Sequence, residues 1–195
     1  MTDDASIAQL QDRRNPVTPA REVILFEDRL EWVEAGRLER RIALDAVTSV
    51  RLSVELAGQQ SQVVCRVQSG SGEIVFGSRR AVKPGVWDDN ALDFQTLLVR
   101  LHEALRPHFD TVRFTEGQTL GFRLLMGGIG IVMTSMAISY MGWMLLKAQS
   151  AMMALAGLPF AVIGGYLAFV FRPGRPVPYD PEGLITRFRA VPKTD

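Results

Sequence analysis

Two long, uncharged apolar runs dominate the pattern of hydrophobic and polar positions along this chain. They cover residues 124–146 and 150–171, and only residues 147–149 separate them. Each run is long enough to cross a hydrocarbon core of about 30 Å as a helix that rises ~1.5 Å per residue. The pattern therefore predicts a transmembrane hairpin over residues 122–171, with its first helix at 122–146 and its second at 150–171.

The chain before these runs shows the alternation that is typical of short β-strands. The predicted strands cover residues 23–26, 29–34, 37–44, 47–55, 62–68 and 73–78. In the strand 47–55, we expect Val50, Leu52 and Val54 on the buried face of a sheet with one wet side. The segment 78–89, which reads SRRAVKPGVWDD, is predicted as a loop.

One amphipathic helix is predicted next, at residues 90–106, with Asp89 or Asn90 as its cap. Its apolar face consists of Phe94, Leu97, Leu98, Leu101 and Leu105. Such a helix needs a partner for that face, and the inner side of the preceding sheet is the large candidate. The predicted fold class is therefore α+β: an antiparallel β-roll or barrel capped by one C-terminal helix and followed by a two-helix transmembrane hairpin.

The remaining segments complete the expected domain organisation. Residues 1–20 are predicted to be a flexible N-terminus, residues 21–117 a cytoplasmic domain, and residues 172–195 a tail rich in proline and arginine. The prolines predict that the tail leaves the membrane in an extended form. Its short apolar patch, at Leu184, Ile185 and Phe188, would either fold back on the domain or dock a partner, and we favour the fold-back.

Basic residues predict the direction of the hairpin. The chain has 22 basic and 21 acidic residues, so its net charge of +1 indicates no electrostatic partner. The bases near the spans lie mainly on the outer flanks, at Arg106, Arg113, Arg123, Arg172, Arg175, Arg187, Arg189 and Lys193, whereas the turn contains only Lys147. The positive-inside rule then predicts that both termini lie in the cytoplasm. The first sixteen residues contain no apolar run, so we expect no cleaved secretory signal.

Small residues recur along both apolar runs and predict close helix packing. They are Gly128, Ser135, Ser139 and Gly142 in the first run and Gly157, Ala161 and Gly165 in the second. We interpret them as packing sites within the hairpin, with a homo-oligomer interface as the alternative. Pro159 is expected to kink the second helix. Neither run contains Asp, Glu, Lys, Arg or His, which disfavours a transporter or pump core.

The sequence contains no recognisable catalytic, cofactor or metal site. No phosphate-binding glycine loop is present. His102 and His108 lack cysteine or carboxylate neighbours at metal-ligand spacing and are expected to be surface residues. The single cysteine, Cys65, is expected to be a small buried hydrophobe. We therefore expect no catalytic residue, no cofactor and no metal, and we predict that the protein is not an enzyme.

Two basic clusters are the candidate binding residues. Arg37, Arg40 and Arg41 form one of them, and Arg79, Arg80 and Lys83 form the other. If they face an anionic leaflet, each charge contributes about 1 kcal/mol of attraction. A solvated face is the simpler interpretation, because residues 1–121 hold 15 bases and 18 acids. The same acidic balance argues against nucleic acid as a partner.

The order of the predicted elements resembles that of the bacterial pleckstrin-homology-like domains found in membrane proteins. Three segments are similar to these domains: DRLEWVEAGRLERRIALDAVTSVRL, CRVQSGSGEIVFGS and DFQTLLVRLHEAL. The two apolar runs and the ending FRPGRPVPYDPEGL look like one proteobacterial group, whose Arg-Pro-Tyr-Asp-Pro tail is varied here by Val177 and Pro178 before Tyr179. The resemblance covers about residues 20–190 and implies a pleckstrin-homology-like domain followed by the hairpin. It implies no activity, since related folds bind phospholipid headgroups, peptides or proteins.

These observations and the resemblance together predict a non-enzymatic, multi-pass protein of the bacterial inner (cytoplasmic) membrane. We expect it to present a pleckstrin-homology-like module at the cytoplasmic face for protein interaction or assembly, with a protein or a second copy as its partner. The alternative is a membrane-sensing module that binds anionic phospholipid headgroups. A third hypothesis, an accessory subunit of a transporter or enzyme, has no residue that supports it.

Overall fold

The chain forms two compact units in the computed structural model, which describes residues 5–14, 16–57, 60–118, 120–147, 150–174 and 177–189. The first unit combines Met1–Gly117 with Pro176–Asp195, and the second is Gln118–Arg175. We call them the α+β unit and the helical hairpin. The tail thus belongs to the same unit as the residues that precede the hairpin.

The first sheet of the α+β unit is an antiparallel meander. Its strands, in order, are β1 (Ala8–Asp12), β2 (Arg21–Leu25), β3 (Arg29–Glu34) and β4 (Arg37–Ala43). Ala35 and Gly36 both have positive φ, +49° and +76°, as the tight turn between β3 and β4 requires. Strand β1 lies in the segment that we expected to be flexible. Its inward-facing Leu10 is only 1% exposed, and this single apolar side chain is too weak a signal to reveal the strand.

The second sheet contains the other long strands. Its strands are β5 (Val47–Ala57), β6 (Gln60–Ser69), β7 (Gly72–Gly77), β10 (Arg113–Glu116) and β11 (Val177–Pro178). Across the sheet they lie in the order β11-β10-β5-β6-β7. β10 pairs with β5 in parallel, and the other neighbours are antiparallel. The expectation for Val54 was wrong, because this side chain is 60% exposed. Val54 pairs with Val63 of β6, and the pairing of β6 with β7 begins only at the next residue, Val64.

The segment 78–89, which we predict as a loop, instead forms a β-hairpin of two strands, β8 (Arg79–Lys83) and β9 (Val86–Asp89). The prediction was wrong because the pattern of this segment is not a clean alternation, and the ladder itself shifts register between Ala81 and Lys83. Gly85, with φ +79°, turns the chain between the two strands.

Helix α1 (Ala91–Ala104) packs its predicted face into the core. Phe94, Leu97, Leu98, Leu101 and Leu105 are buried there together with residues of both sheets, among them Leu10, Leu25, Ile42, Val50, Cys65 and Phe76. At the start of the helix, Asp89 Oδ1 accepts a hydrogen bond from the Ala91 N–H at 3.0 Å. The Asn90 side chain instead donates to the Gln11 carbonyl at 2.7 Å, so it ties the helix to β1.

The helical hairpin consists of α2 (Leu120–Leu146), α3 (Ala151–Leu155) and α4 (Leu158–Val170). Two helices, Leu120–Leu146 and the combined Ala151–Val170, are long and apolar enough to cross a membrane. The second is interrupted just before Pro159, which has no N–H to continue the helical ladder. The N–H groups of Ala156 and Gly157 donate three residues back, to Met153 and Ala154, at 3.2 and 3.0 Å.

Candidate functional site

The strands that flank the hairpin in sequence are paired with each other in the α+β unit. β10 ends shortly before α2 begins, and β11 follows α4. Their ladder joins Thr115 to Pro178 and Glu116 to Val177. The chain therefore leaves the α+β unit and returns to it through neighbouring strands of one sheet. We call this ladder, with the tail segment that follows it, the junction.

A buried histidine and a tyrosine join the tail to α1 at the junction. The expectation that His102 is a surface residue was wrong, because it is 0% exposed. Its Nδ1 donates a hydrogen bond to the Leu98 carbonyl oxygen at 2.7 Å. The Tyr179 hydroxyl then donates a hydrogen bond to His102 Nε2 at 2.8 Å. Burial lowers the pKa of His102 to about 4 and raises the pKa of Tyr179, so both groups are neutral at pH 7.

The tail ends in an amphipathic helix, α5 (Pro181–Arg189). Asp180 caps it by accepting hydrogen bonds from the N–H groups of Glu182 and Gly183 at 3.1 and 2.9 Å. Ile185 is 2% exposed, and Leu184 and Phe188 pack beside it against the core. The apolar patch that we predicted in the tail thus folds back on its own unit.

Polar contacts fix the same helix along α1. Glu182 forms an ion pair with Arg106 at 2.8 Å, and Glu103 forms one with Arg189. The Gln95 side chain donates to the Phe188 carbonyl at 3.3 Å. Sequence reasoning missed α5, although Asp180 followed by Pro181 and Glu182 is a helix-start signal. The prediction of an extended tail was therefore wrong for Pro181–Arg189, which is helical.

The predicted basic cluster on β4 is largely engaged within the unit. Arg40 donates to the Glu73 carbonyl at 2.9 Å, and its guanidinium lies 5.9 Å from the Trp32 ring centroid. Arg41 forms an ion pair with Glu31 at 2.8 Å. Arg37 is exposed.

The second predicted basic cluster lies on β8. Arg79 donates to the Ser61 carbonyl at 3.1 Å, Arg80 forms an ion pair with Asp88 at 3.3 Å, and Lys83 is exposed. The two clusters lie near opposite ends of β7, since Arg40 contacts Glu73 and β8 follows Gly77. β7 has six residues and is about 17 Å long at ~3.3 Å per residue. The structure does not bring the clusters together, and their contact with lipid stays a prediction.

A buried carboxyl group that the sequence did not reveal lies at the end of β1. Asp12 is 1% exposed, and neither carboxyl oxygen has a hydrogen bond of normal geometry within the described residues. Burial raises its pKa to about 6, against the lowering effects of Arg14, Arg21 and nearby backbone N–H groups. Arg21 is its cross-strand partner on β2. Asp12 is therefore a buried group that destabilises the fold when it is ionised.

Glycines bring the helices of the hairpin into contact. A Cβ added at Gly164 would lie 2.6 Å from Thr134 Oγ1 and 2.8 Å from the Gly130 carbonyl oxygen, and one added at Gly157 would lie 2.6 Å from Met141 Cγ. Of the predicted small residues, Gly157 thus packs within the hairpin and Ala161 is half-buried. The others do not make such contacts: a Cβ at Gly128, Gly142 or Gly165 would meet no atom within 4 Å, and Ser135 and Ser139 are exposed. A homo-oligomer interface at these residues stays a prediction.

Two adjacent glycines allow a matched test of this packing. We expect Gly164→Val to force α2 and α4 apart and to lower the thermal unfolding midpoint of the hairpin in detergent. Gly165→Val adds the same side chain in open space and is expected to leave the midpoint nearly unchanged. Thermal melts followed by circular dichroism measure both variants, and equal losses would show that the two helices are not packed through Gly164.

No group of three or more His, Cys, Asp or Glu side chains within the described ranges is arranged to hold a metal ion. Cys65 is fully buried, and burial raises the pKa of its thiol. The expectations of no catalytic residue, cofactor or metal stay predictions. Comparison of the chain with protein-family models finds no matching family, and comparison with curated proteins finds no match.

Proposed function

We propose that this chain is a non-enzymatic inner-membrane protein whose hairpin holds a pleckstrin-homology-like module at the cytoplasmic surface for protein interaction or assembly. The observation that carries the proposal is the junction. Strands from both sides of the hairpin pair in one sheet, and α5 packs on the core beside them. A module built from both flanks of a membrane hairpin stays attached to it by two connections.

The pleckstrin-homology-like assignment has support in the order of the elements. A four-stranded meander is followed by the strands of a second sheet and then by α1, whose apolar face is buried between them. β10, β11 and α5 are additions to the predicted roll. In this chain they are the elements that join the module to the hairpin.

A protein partner accounts for the α+β unit better than a lipid headgroup does. Four of the five arginines in the basic clusters contact the protein itself: Arg40, Arg41, Arg79 and Arg80 contact Glu73, Glu31, Ser61 and Asp88, respectively. Residues 1–121, which make up most of the unit, carry 15 bases and 18 acids. An acidic domain is repelled by an anionic leaflet unless its bases form one face.

Photo-crosslinking in cells tests the proposed interaction. A photoreactive amino acid at Val86 or Leu92, which are 51% and 69% exposed, is expected to capture a protein in a band of defined mass. The matched control is Trp143 in the hairpin, 58% exposed, which is expected to capture lipid. Adducts only with lipid and with the chain itself, from both positions of the α+β unit, would exclude a protein partner at this surface.

Hydrogen exchange distinguishes the headgroup alternative. Full-length protein in nanodiscs of phosphatidylcholine alone is compared with protein in nanodiscs that also contain phosphatidylglycerol. We expect the same exchange rates for β4 and β8 in both. Protection of these strands only with the anionic lipid would favour headgroup binding by the basic clusters.

The orientation of the hairpin is tested by labelling with a membrane-impermeant maleimide. Native Cys65 is buried, so an introduced cysteine dominates the signal. Lys147→Cys, in the turn, is expected to react in cells whose outer membrane is permeabilised, whereas Leu92→Cys is expected to react only after lysis. The reverse pattern would invert the proposed topology.

A further inference from the structure

The helical hairpin carries positive charge without any acidic residue to balance it. Between Gln118 and Arg175, the sequence contains Arg123, Lys147, Arg172 and Arg175, and no aspartate or glutamate. Three of these bases lie beside the two ends of the hairpin that adjoin the α+β unit in sequence. Any counter-charge for them has to come from outside the hairpin.

The start of α2 and the end of α4 lie side by side in the hairpin. The rings of Phe122 and Phe171 pack edge to face with their centroids 5.7 Å apart. A Cβ added at Gly127 would lie 3.2 Å from the Phe171 carbonyl oxygen, so the helices are close at this level. We call this end, with the residues around Phe122 and Phe171, the base of the hairpin.

Two arginines that are distant in sequence, Arg123 and Arg172, both lie at the base. The guanidinium of Arg123 lies against Gly174, where an added Cβ would be 3.2 Å from Nη2. The guanidinium of Arg172 lies 5.3 Å from the Phe169 ring centroid. Arg123 is half-buried and Arg172 is exposed. Within the described part of the chain, neither guanidinium has an ion pair or a hydrogen bond.

The chemistry of this pair matches a phosphate. A guanidinium presents paired N–H donors that fit phosphate oxygens, and it cannot lose its charge at ordinary pH. Arginines at the ends of apolar helices lie at the depth of lipid headgroups, where phosphate is the abundant acceptor. We propose that Arg123 and Arg172 bind the phosphate of an anionic phospholipid headgroup at the base of the hairpin. This inference rests on the proposal that the hairpin crosses a membrane.

Lys147 provides the matched control. It is the one base at the other end of the hairpin, next to the turn, and it is exposed. Loss of this charge changes the net charge of the hairpin as loss of one arginine does. A general attraction to anionic lipid would therefore respond to Lys147→Gln, whereas a site at the base would not.

Native mass spectrometry of the full chain in neutral detergent measures the binding. Phosphatidylglycerol is titrated against wild type, Lys147→Gln and the double variant Arg123→Gln/Arg172→Gln, with phosphatidylcholine and inorganic phosphate as further probes. We expect the double variant to bind phosphatidylglycerol about 30-fold more weakly than wild type, which corresponds to the attraction of two charges near an anionic surface. Lys147→Gln is expected to bind as wild type does, and phosphatidylcholine more weakly.

Three results would overturn the site. They are unchanged phosphatidylglycerol affinity in the double variant, an equal loss in Lys147→Gln, and full competition by inorganic phosphate, which would make free phosphate the ligand. If the double variant fails to fold by circular dichroism, the single variants Arg123→Gln and Arg172→Gln replace it. Each is expected to lose part of the affinity, and no loss in either would also overturn the site.

Carbonate extraction of the wild-type chain separates this outcome from failure of the proposed function. Release of the chain by carbonate would contradict membrane insertion and remove both proposals. Retention without a specific lipid site would leave the interaction module intact.

Discussion

Replacing Asp12 by Asn is expected to stabilise the α+β unit at pH 8 by up to about 3 kcal/mol. The carboxyl group is buried at the end of β1, and its pKa is raised from 3.8 to about 6, mainly by burial. A carboxyl group whose pKa is higher in the folded state than in the unfolded state lowers the stability of the fold at every pH where it is ionised. The contribution of Asp12 to the free energy of unfolding of wild type therefore falls as the pH rises from about 4 to about 6, and it is constant above that range.

Urea unfolding of the full chain in detergent, followed by tryptophan fluorescence, measures the effect at pH 4 and pH 8. The gain from Asp12→Asn should be large at pH 8 and small at pH 4. His102 titrates in the same range with the opposite sign, since its pKa is lowered to about 4 and acid favours the unfolded state. The comparison therefore uses the difference between variant and wild type at each pH.

Asp110 is an exposed control for this experiment. Asp110→Asn is expected to change the free energy of unfolding by less than about 0.5 kcal/mol at either pH. If Asp12→Asn gave the same gain at pH 4 as at pH 8, ionisation of Asp12 would not be the cause.

Truncating Ile185 to Ala is expected to lower the free energy of unfolding of the α+β unit by about 2–4 kcal/mol. Ile185 is 2% exposed in α5 and lies with Leu184 and Phe188 against the core. Removing its side chain leaves a cavity under the tail. Because the tail belongs to the α+β unit, the loss is expected in that unit, although the residue follows the hairpin in sequence.

The adjacent Thr186 supplies the control. It is exposed, and its hydroxyl donates to the Glu182 carbonyl of the same helix at 2.9 Å. Thr186→Ala is expected to change the free energy of unfolding by less than about 0.5 kcal/mol in the same urea measurement. Trypsin cleavage after Arg187 should also be faster in Ile185→Ala than in Thr186→Ala. Similar behaviour of the two variants would mean that α5 is not docked on the core.

The accuracy of the sequence predictions follows from the range over which each signal acts. The strand 29–34 is β3, with the predicted bounds, and the apolar face of the helix at 90–106 is the buried face of α1. Both follow from side-chain periodicity, which is a local property of the chain. The apolar runs correspond to α2 and to the broken helix α3–α4 for the same reason.

The elements that were missed depend on contacts between distant segments. β11 is a two-residue strand whose partners, Thr115 and Glu116, lie far away along the chain, and no periodicity can develop over two residues. The contact between His102 and Tyr179 likewise joins a residue that precedes the hairpin in sequence to one that follows it. A carboxylate such as Asp12 is usually exposed, so its burial could not be inferred from its type.

Local patterns in the sequence are enough to predict a strand-rich domain, one long amphipathic helix and two apolar helices, because uncharged length and periodicity directly reflect the surroundings of each segment. The tertiary structure establishes how distant segments combine. It paired β10 with β11, seated Ile185 in the core, buried Asp12 and brought Arg123 and Arg172 to one end of the hairpin. Each of these outcomes depends on pairing or burial between residues far apart in the chain, which no local pattern encodes.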